Sequence, residues 1–436
     1  MKALEESQRH SLVHLVRSSK TPEEAAQELG KCRSWAYKWW GRYQKDGWSG
    51  LKERPRAPKH QPNRLSEAVR QAICRVRSEL EAEAQIPDKL SYIGAYAIHA
   101  RLRKEKIVPL PGISTIEQVL REAGMTKPRT LKVEHEVVYP HLCPAAAHQL
   151  TQVDIVPHYL AGGTSIACFN GIDVVSRYPA GKQYDCKSAG EALDFLVHLW
   201  QELGISEYTQ MDNEGCFSGG FTHPGVVGRA TRLALLVGTQ PAFSPFYHPE
   251  SNGTVERFHQ DYSDNVWEKV QLGNLLDVRR HSASFFPRYR HSQHHSALQG
   301  QSPAALHFAT ALRKLPANFK IPEHLPITEG KVHFMRAVSA DRKVSIANQH
   351  WDVALAHPAQ GVWATLHITL KGARLRIYDA APDAPARRCL AEHPFPLKEP
   401  VVPLNPAFRP ATPKPSWFQI LASLFVRPAQ AESTMF

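Results

Sequence analysis

The hydrophobic period of this sequence changes twice along the chain, and the two changes restrict the fold more than any other feature. Up to about residue 130 the apolar residues recur at helical spacing. From about residue 148 strand-like segments alternate with helical ones, and after about residue 326 short alternating strands follow. We therefore expect a multidomain chain with an all-α start, an α/β core and a small antiparallel β-barrel. The expected boundaries are residues 1–53, 65–130, 145–312 and 326–395 for four domains, 54–64 for a basic linker and 396–436 for a poorly ordered tail.

The charge of the chain is basic and unevenly distributed. The net charge is +12, from 53 Lys and Arg against 41 Asp and Glu. Residues 31–64 contain ten basic and two acidic residues, so +8 of the +12 lies in that stretch. Such an excess favours a polyanionic partner, although a solvated basic face is the open alternative. The longest apolar run, at residues 418–426, is too short to cross a bilayer, so we predict nucleic acid and no membrane.

Two helices with a tight turn between them are predicted near the start of the chain. Thr21 and Glu24 have the spacing of a capping box, which starts a helix at residues 22–29. Gly30 ends that helix, and a second helix follows at residues 33–45. This pattern is typical of a helix-turn-helix unit, whose second helix enters the major groove of DNA.

The second of these helices has an aromatic face and a polar face. Trp35, Trp39 and Tyr43 recur at four-residue spacing, and we expect them in a small core. The polar side chains are candidates for DNA contact, with simple solvation as the alternative. They are Arg33, Ser34, Tyr37, Lys38 and Arg42 on the helix, and Arg54, Arg56 and Lys59 in the proline-rich linker that follows.

A second group of helices follows the linker. They are predicted at residues 66–83, 94–104 and 114–123. Ser114 and Glu117 have the spacing of another capping box, and Gly124 is placed to stop the last helix. The group resembles a second helix-turn-helix unit, with a plain helical spacer as the alternative. Its candidate DNA contacts are Ser114, Thr115, Gln118 and Arg121.

Strands and helices alternate in the middle of the chain. Strands are predicted at residues 150–156, 166–175 and 208–211, and helices at 188–203, 223–237 and from 252 past 267. This order indicates a mixed α/β domain.

Alternating strands are predicted again near the C terminus. The even-numbered residues from Val362 to Leu370 are apolar, and we expect them to be buried. Lys371 and Gly372 form a turn into a second strand at residues 374–378, which predicts the small barrel. We expect the basic residues of the barrel to contact DNA nonspecifically or to join subunits. They are Lys331, Arg336, Arg342, Lys343, Arg374 and Arg376.

Three carboxylates lie at positions in predicted strands or helices where a charged side chain needs a physical explanation. Asp154 lies inside a predicted strand, Asp212 ends another, and Glu256 lies in the first turn of a helix. A lone buried carboxylate is costly, so each should be paired, protonated or metal-bound. Carboxylates at two strands and a helix start can converge, and Mg²⁺ or Mn²⁺ would relieve their repulsion. Each acid by itself also has an ordinary explanation, as a turn residue or as a partner of the helix dipole.

The residues around these acids resemble a known family. Residues 247–259, Tyr-His-Pro-Glu-Ser-Asn-Gly-Thr-Val-Glu-Arg-Phe-His, closely resemble the glutamate segment of insertion-sequence transposases and retroviral integrases, the DDE superfamily. Residues 152–154 and 171–177 resemble the first two strands of that family. The paired helical units, the segment 294–304 and the terminal barrel also fit, so the resemblance covers roughly residues 23–378.

This resemblance implies a bacterial insertion-sequence transposase with an RNase H-like catalytic core. It implies that Asp154, Asp212 and Glu256 hold Mg²⁺, for which Mn²⁺ can substitute. It also implies hydrolysis at the transposon ends, followed by attack of the freed 3′-hydroxyl on target DNA. The expected partners are double-stranded DNA, from transposon ends and target, and further copies of this chain. The expected location is the cytoplasm.

Two features depart from the pattern of the family. The interval from Asn213 to Val255 is longer than usual, with the surplus in residues 217–225. Many members have a basic residue four or seven positions after the glutamate, where this chain has Gln260 and Ser263. The acidic triad is intact, but the mode of DNA-end recognition stays open.

Two other functions also stay open. A domesticated or inactive relative would bind specific DNA without cutting it, although a decayed copy often loses one of the three acids. A nuclease would hydrolyse without joining, although a nonspecific nuclease does not need paired sequence readers.

The seven cysteines are scattered and contain no CxxC pair. Neither a disulfide framework nor a zinc ribbon is implied, and a reducing compartment fits best.

Overall fold

The structure is a computed structural model that describes residues 2–53, 65–87, 89–126, 137–219, 225–246, 248–293 and 295–409. Contacts between residues divide the chain into two units, Met1–Leu65 and Ser66–Phe436. The linker residues Arg54, Arg56 and Lys59, and the expected tail beyond residue 409, lie outside the described residues. What the sequence predicts for them stays a prediction.

The first unit is formed by three helices around one small core. They are α1 (Lys2–Arg17), α2 (Pro22–Glu28) and α3 (Arg33–Asp46), followed by a 3₁₀ turn at Gly47–Leu51. The predicted capping box is confirmed, because the Glu24 amide donates to the Thr21 hydroxyl and the Thr21 amide donates to the Glu24 carboxylate. Trp39 is 3% exposed, with the Arg9 guanidinium 3.8 Å from its ring centroid. The aromatic face of α3 therefore lies in the core, as predicted.

The second unit begins with three helices that pack on one another. They are α4 (Glu67–Ala84), α5 (Ala95–Lys104) and α6 (Ile113–Glu122). The capping box predicted at Ser114 and Glu117 is wrong, because α6 begins at Ile113 and its N-cap Gly112 makes no side-chain hydrogen bond. Ser114 has entered the helix, so its hydroxyl is not at the cap position.

The main body of the second unit is a mixed sheet flanked by helices. Over the described residues the strands are β1 (Leu150–Tyr159), β2 (Ser165–Asp173), β3 (Pro179–Tyr184), β4 (Tyr208–Met211), β5 (Gln240–Phe243), β6 (Ile327–Thr328), β7 (Gly330–Ala337), β8 (Lys343–Ile346), β9 (Gln349–Asp352), β10 (Gly361–Thr369), β11 (Gly372–Tyr378), β12 (Cys389–Phe395) and β13 (Val401–Val402). The large sheet has the order β12-β11-β10-β7-β5-β4-β1-β2-β3. β1, β2 and β3 are antiparallel neighbours, whereas β4 and β5 continue in parallel from β1. The predicted α/β core is confirmed.

Helices cover both faces of the central strands. Over the described residues they are α7 (Ala189–Leu203), α8 (Gly215–Ser218), α9 (Arg229–Leu236), α10 (Gly253–Tyr262), α11 (Leu275–His291) and α12 (Pro303–His307). Phe195 and Trp200 of α7 lie in one apolar cluster, and Phe258 of α10 and Phe285 of α11 lie in another. The helix predicted from residue 252 past 267 continues beyond α10 as a π-helical turn, Ser263–Trp267. None of the helices in the described ranges is long and apolar enough for a membrane crossing.

The C-terminal strands do not form the separate barrel that the sequence predicts. β7 pairs in parallel with β5, with Phe334 opposite Phe243, so β7, β10, β11 and β12 extend the core sheet. Over the described residues this sheet stays open, with β12 and β3 at its edges. Trp363, outside the predicted buried row, is 0% exposed because both faces of β10 are covered, whereas Leu370 is 58% exposed because β10 ends at Thr369.

This continuity makes a prediction about stability. A chain that ends at residue 325 would expose the edge of β5 and the cluster in which Leu235 of α9 packs with Val332 and Leu366. We expect such a chain to lose cooperative thermal unfolding, measured by circular dichroism. The control is removal of residues 1–65, which form a unit of their own, and the remainder should still unfold cooperatively. A cooperative transition in the 1–325 chain, close to that of the full chain, would show that the C-terminal strands are an independent module.

Candidate active site

Two of the three candidate carboxylates are brought together by the register of two parallel strands. Val153 of β1 pairs with Met211 of β4, so the following residues, Asp154 and Asp212, are neighbours. Glu256 belongs to α10, which packs on β1 and β2. All three residues line one open cleft of about 580 Å³. The structure therefore places the whole predicted triad at a single site.

Local hydrogen bonds hold the two aspartates. Asp154 Oδ1 accepts from the amide of the next residue at 2.8 Å, and Asp212 Oδ1 accepts from the Glu214 amide at 3.2 Å. His259 Nδ1 lies 3.6 Å from Asp154 Oδ2. His259 is not among the residues predicted from the sequence, although its spacing of three from Glu256 puts both on one helix face.

Burial and mutual repulsion disfavour the ionised forms of the two aspartates. Burial raises the pKa of Asp154 to about 6, and the charge of Glu256 adds to this effect. Burial raises the pKa of Asp212 to about 7, with the charge of Asp154 as the next contribution in the same direction. Burial also lowers the pKa of His259 to about 4, so a neutral imidazole faces Asp154 at physiological pH. A site of this kind favours a bound cation.

The loop after Asp212 is braced by the C-terminal part of the sheet. Asn213 Nδ2 donates to the Ser244 carbonyl at 2.6 Å, and Asn213 Oδ1 accepts from Arg336 of β7 at 2.8 Å. Arg336 is 7% exposed, and burial lowers its pKa to about 10. The expectation that Arg336 contacts DNA is therefore wrong, because its guanidinium is enclosed and bonds to groups of this chain.

A second cluster of possible metal ligands lies elsewhere in the core. Over the described residues, ligand atoms of His148, Asp173 and His307 all lie within 4.8 Å of one another, and the triad carboxylates form no such group. Hydrogen bonds already engage these atoms: Asp173 accepts from the Ser176 amide at 2.7 Å and from the His148 amide at 2.7 Å. His307 Nδ1 lies 2.9 Å from Ser176 Oγ, and its Nε2 lies 3.0 Å from the Leu203 carbonyl. We interpret this cluster as a buried polar network that ties loops together.

The DNA-contact candidates of the first unit share an exposed face of α3. Arg33, Ser34, Tyr37 and Lys38 are exposed, whereas Arg42 is half-buried. The Arg42 guanidinium lies 4.6 Å from the centroid of the Trp39 ring. Arg33 also forms an ion pair with Glu23 at 2.6 Å. Four of the five candidates are thus accessible.

The candidates of the second helical group lie on α6. Ser114, Gln118 and Arg121 are exposed and Thr115 is half-buried. Gln118 donates to Glu122 at 2.9 Å. The helical group is attached to the core, since the Ser91 amide donates to Asn265 Oδ1 at 2.7 Å.

Two family models match parts of the chain. Residues 9–71 match a winged helix-turn-helix, and residues 237–303 match an integrase core domain. The second match contains Glu256 and all of α10.

Solved structures of retroviral integrases are similar in part. A chain of the simian T-cell lymphotropic virus intasome, in complex with PP2A regulatory subunit B56 gamma, matches with a TM-score of 0.34 and 15% identity, over 75% of this chain and 99% of that one. The HTLV-2 integrase catalytic core domain in complex with magnesium matches with a TM-score of 0.30 and 12% identity, over 37% and 98%. The BIV integrase catalytic core domain matches with a TM-score of 0.28 and 18% identity, over 37% and 95%.

The fold and the family matches agree on the class of protein. The chain carries a helix-turn-helix segment ahead of an integrase core domain. These two matches support the predicted class, a transposase or integrase of the DDE superfamily with an N-terminal helix-turn-helix.

The raised pKa of Asp212 predicts how stability depends on pH. The carboxyl has a pKa of about 7 in the folded chain against a usual 3.8, so folding favours its protonated form. The cost in folding free energy of ionising this buried carboxyl is absent below pH 3.8. It grows as pH rises from 3.8 to about 7 and is complete above about 7. Without divalent cations, Asp212→Asn should therefore gain thermal stability over the wild type as pH rises from 5 to 8, by on the order of a few kcal/mol.

The control for this measurement is Asp185→Asn, because Asp185 is exposed. It should leave the pH profile of the melting temperature unchanged. A pH-independent difference between Asp212→Asn and the wild type would contradict the proposed electrostatic cost.

Proposed function

We propose that this chain is a DNA transposase that cuts and joins DNA at a divalent-metal site formed by Asp154, Asp212 and Glu256. The observation that carries the proposal is the convergence of these three side chains on one cleft, from two parallel strands and a helix. The integrase core match supports it independently, because that match covers the segment with Glu256.

The residues at the cleft fit Mg²⁺ or Mn²⁺. Carboxylate oxygens are the hard ligands that both ions prefer. The pKa values of Asp154 and Asp212 are raised by burial, so a nearby divalent charge would stabilise the ionised form of both at neutral pH. When bound, such an ion supplies activation of the attacking oxygen and charge neutralisation at the leaving oxygen.

The proposed reaction has two displacements at phosphorus. In the first, water attacks a phosphodiester at the transposon end, the bond from phosphorus to the 3′-oxygen breaks, and a 3′-hydroxyl is released. In the second, that hydroxyl attacks a target phosphodiester, and the 3′-oxygen of the target strand leaves. The second step exchanges one phosphodiester for another. This chain contributes the fixed positions of its acids, since phosphoryl transfer depends mainly on positioning and electrostatics.

The exposed face of α3 is proposed to read the transposon end. Arg33 and Lys38 supply positive charge, and Ser34 and Tyr37 supply hydrogen-bonding groups. The exposed residues of α6 are proposed as a second reader. Because two ends must be joined in one event, we propose that the chain acts as a homo-oligomer on DNA.

Removal of any triad acid should abolish chemistry but not DNA binding. We expect Asp154→Asn, Asp212→Asn and Glu256→Gln each to reduce cleavage and strand transfer by several orders of magnitude, because each removes an anionic ligand and keeps the side-chain shape. The measurement is strand transfer of pre-cut end DNA with Mg²⁺ or Mn²⁺. End-DNA affinity, measured by gel shift, should change little.

The controls are Asp185→Asn and Glu268→Gln, at exposed acids outside the cleft. Both should keep wild-type activity. Full activity in one triad variant would remove that residue from the site. A wild-type chain that binds end DNA but neither cuts nor joins it would favour the DNA-binding regulator instead.

The charged face of α3 predicts a salt-dependent loss of binding. We expect Arg33→Ala with Lys38→Ala, in the full chain, to weaken binding to end DNA and to reduce the slope of log affinity against log salt by about two. Fluorescence anisotropy over a salt series measures both quantities. Lys20→Ala is the control, because Lys20 is exposed in the same unit but lies outside α3. Unchanged affinity and slope in the double variant would exclude α3 as the reader.

A further inference from the structure

Both catalytic strands carry a glutamine two residues before the aspartate. Gln152 precedes Asp154 on β1, and Gln210 precedes Asp212 at the end of β4. Side chains two residues apart point to the same face of a strand, and Gln152 and Gln210 are also register partners. Their exposed fractions are 6% and 2%. Two buried amides therefore lie side by side, on the same face as the two acids.

Gln152 supplies the N-terminal cap of the helix that carries Glu256. Its Oε1 accepts from the backbone amides of Thr254 at 3.1 Å and Val255 at 3.3 Å. Its Nε2 donates to the Ser251 carbonyl at 3.0 Å. The first amides of a helix have no partner within the helix, and the cap residue usually satisfies them. Here the residue at the cap position of α10 makes no such bond, so the strand provides it.

Gln210 explains why that cap residue is otherwise engaged. The cap residue is Asn252, and its Oδ1 accepts from Gln210 Nε2 at 2.7 Å and from the Ser244 hydroxyl at 2.9 Å. Gln210 Nε2 also lies 2.8 Å from the Ser251 carbonyl, which Gln152 contacts as well. The segment entering α10 is thus bound from two strands at once.

We propose that Gln152 and Gln210 act as a glutamine clamp that fixes the start of α10 and so positions Glu256 opposite Asp154 and Asp212. They are positioning residues, because their contacts are to the helix start and not to the acids. The proposal rests on the proposed function for its catalytic consequence. The clamp itself is a statement about which bonds hold α10.

Satisfying buried polar groups is the simplest alternative role for these glutamines. Gln183 of β3 shows that a buried glutamine in this sheet need not serve a helix start, since it is 4% exposed and its Nε2 has no partner within the described part of the chain. Replacing glutamine by leucine at position 152, 210 or 183 makes the same change in side-chain size, and all three positions are buried. Effects specific to the first two positions therefore report on the clamp.

The first readout is hydrogen exchange of the full chain without divalent cations. We expect Gln152→Leu and Gln210→Leu to speed exchange of the backbone amides at residues 253–258 by about tenfold or more, because a lost cap frays the first turn. Gln183→Leu should leave those amides at the wild-type rate. Unchanged exchange in both clamp variants would overturn the proposal.

Glutamate substitutions separate the two roles. Gln152→Glu keeps an oxygen for the Thr254 and Val255 amides and places negative charge at a helix start, so exchange should return toward the wild-type rate. Gln210→Glu loses every donated bond and should not recover. Equal exchange rates in the two glutamate variants would contradict the assignment of Gln152 as the helix cap and Gln210 as the hydrogen-bond donor. The comparison of these two variants still tests the proposal if a leucine variant fails to fold.

The second readout tests positioning at the site. We expect the clamp leucine variants to weaken Mn²⁺ binding, measured from the thermal shift of the full chain, by on the order of tenfold, as for changes that disturb ligand orientation. Wild-type affinity for Mn²⁺ in variants with fast exchange at residues 253–258 would show that the clamp does not position Glu256. A wild-type chain without Mn²⁺ binding or strand transfer would refute the proposed function, while the exchange data would still decide on the clamp.

Discussion

The parallel pairing of β1 with β4 is the constraint on which the site depends. It sets Asp154 beside Asp212, and burial makes their ionised forms unfavourable, with pKa values of about 6 and about 7. A strand pairing shifted by one residue would turn one of the acids to the other face of the sheet. The remaining structure has to hold this unfavourable arrangement in place, which is why so many of its polar contacts converge on the ends of these two strands.

Two elements from distant parts of the sequence provide that support. α10 carries Glu256 and is tied to β1 and β4 by the glutamine clamp. β7 supplies Arg336, which bonds to the residue after Asp212 and to the Ser244 carbonyl after β5. The C-terminal strands are therefore part of the framework of the cleft, because they are joined to the core by backbone pairing and by a buried guanidinium.

The sequence predicts most local features but not how the C-terminal strands pair. The capping box at Thr21 and the strand Tyr208–Met211 follow from residue types over a few positions, and the structure has both. The sequence also predicted that the three acids of the triad lie close together. That prediction came from their positions on two strands and at a helix start, and from the family resemblance. Period-two alternation identifies a strand but not its partner, so the strands after residue 326 suggested a separate barrel. Arg336 was misplaced for the same reason, since burial of a charged side chain depends on tertiary contacts.

Residue type by itself does not distinguish a metal site from a structural network, and this chain contains two clusters of possible ligands. His148, Asp173 and His307 have closely spaced ligand atoms, but hydrogen bonds with Ser176 and with backbone groups engage those atoms. A cation there would have to replace bonds that already stabilise the core. Asp154 and Asp212 instead each accept from one backbone amide and face an open cleft of about 580 Å³. Burial makes the ionised forms of these two acids unfavourable, and a cation in the cleft would stabilise them. This electrostatic cost, more than the closeness of the ligand atoms, is the argument for the proposed cation at the triad.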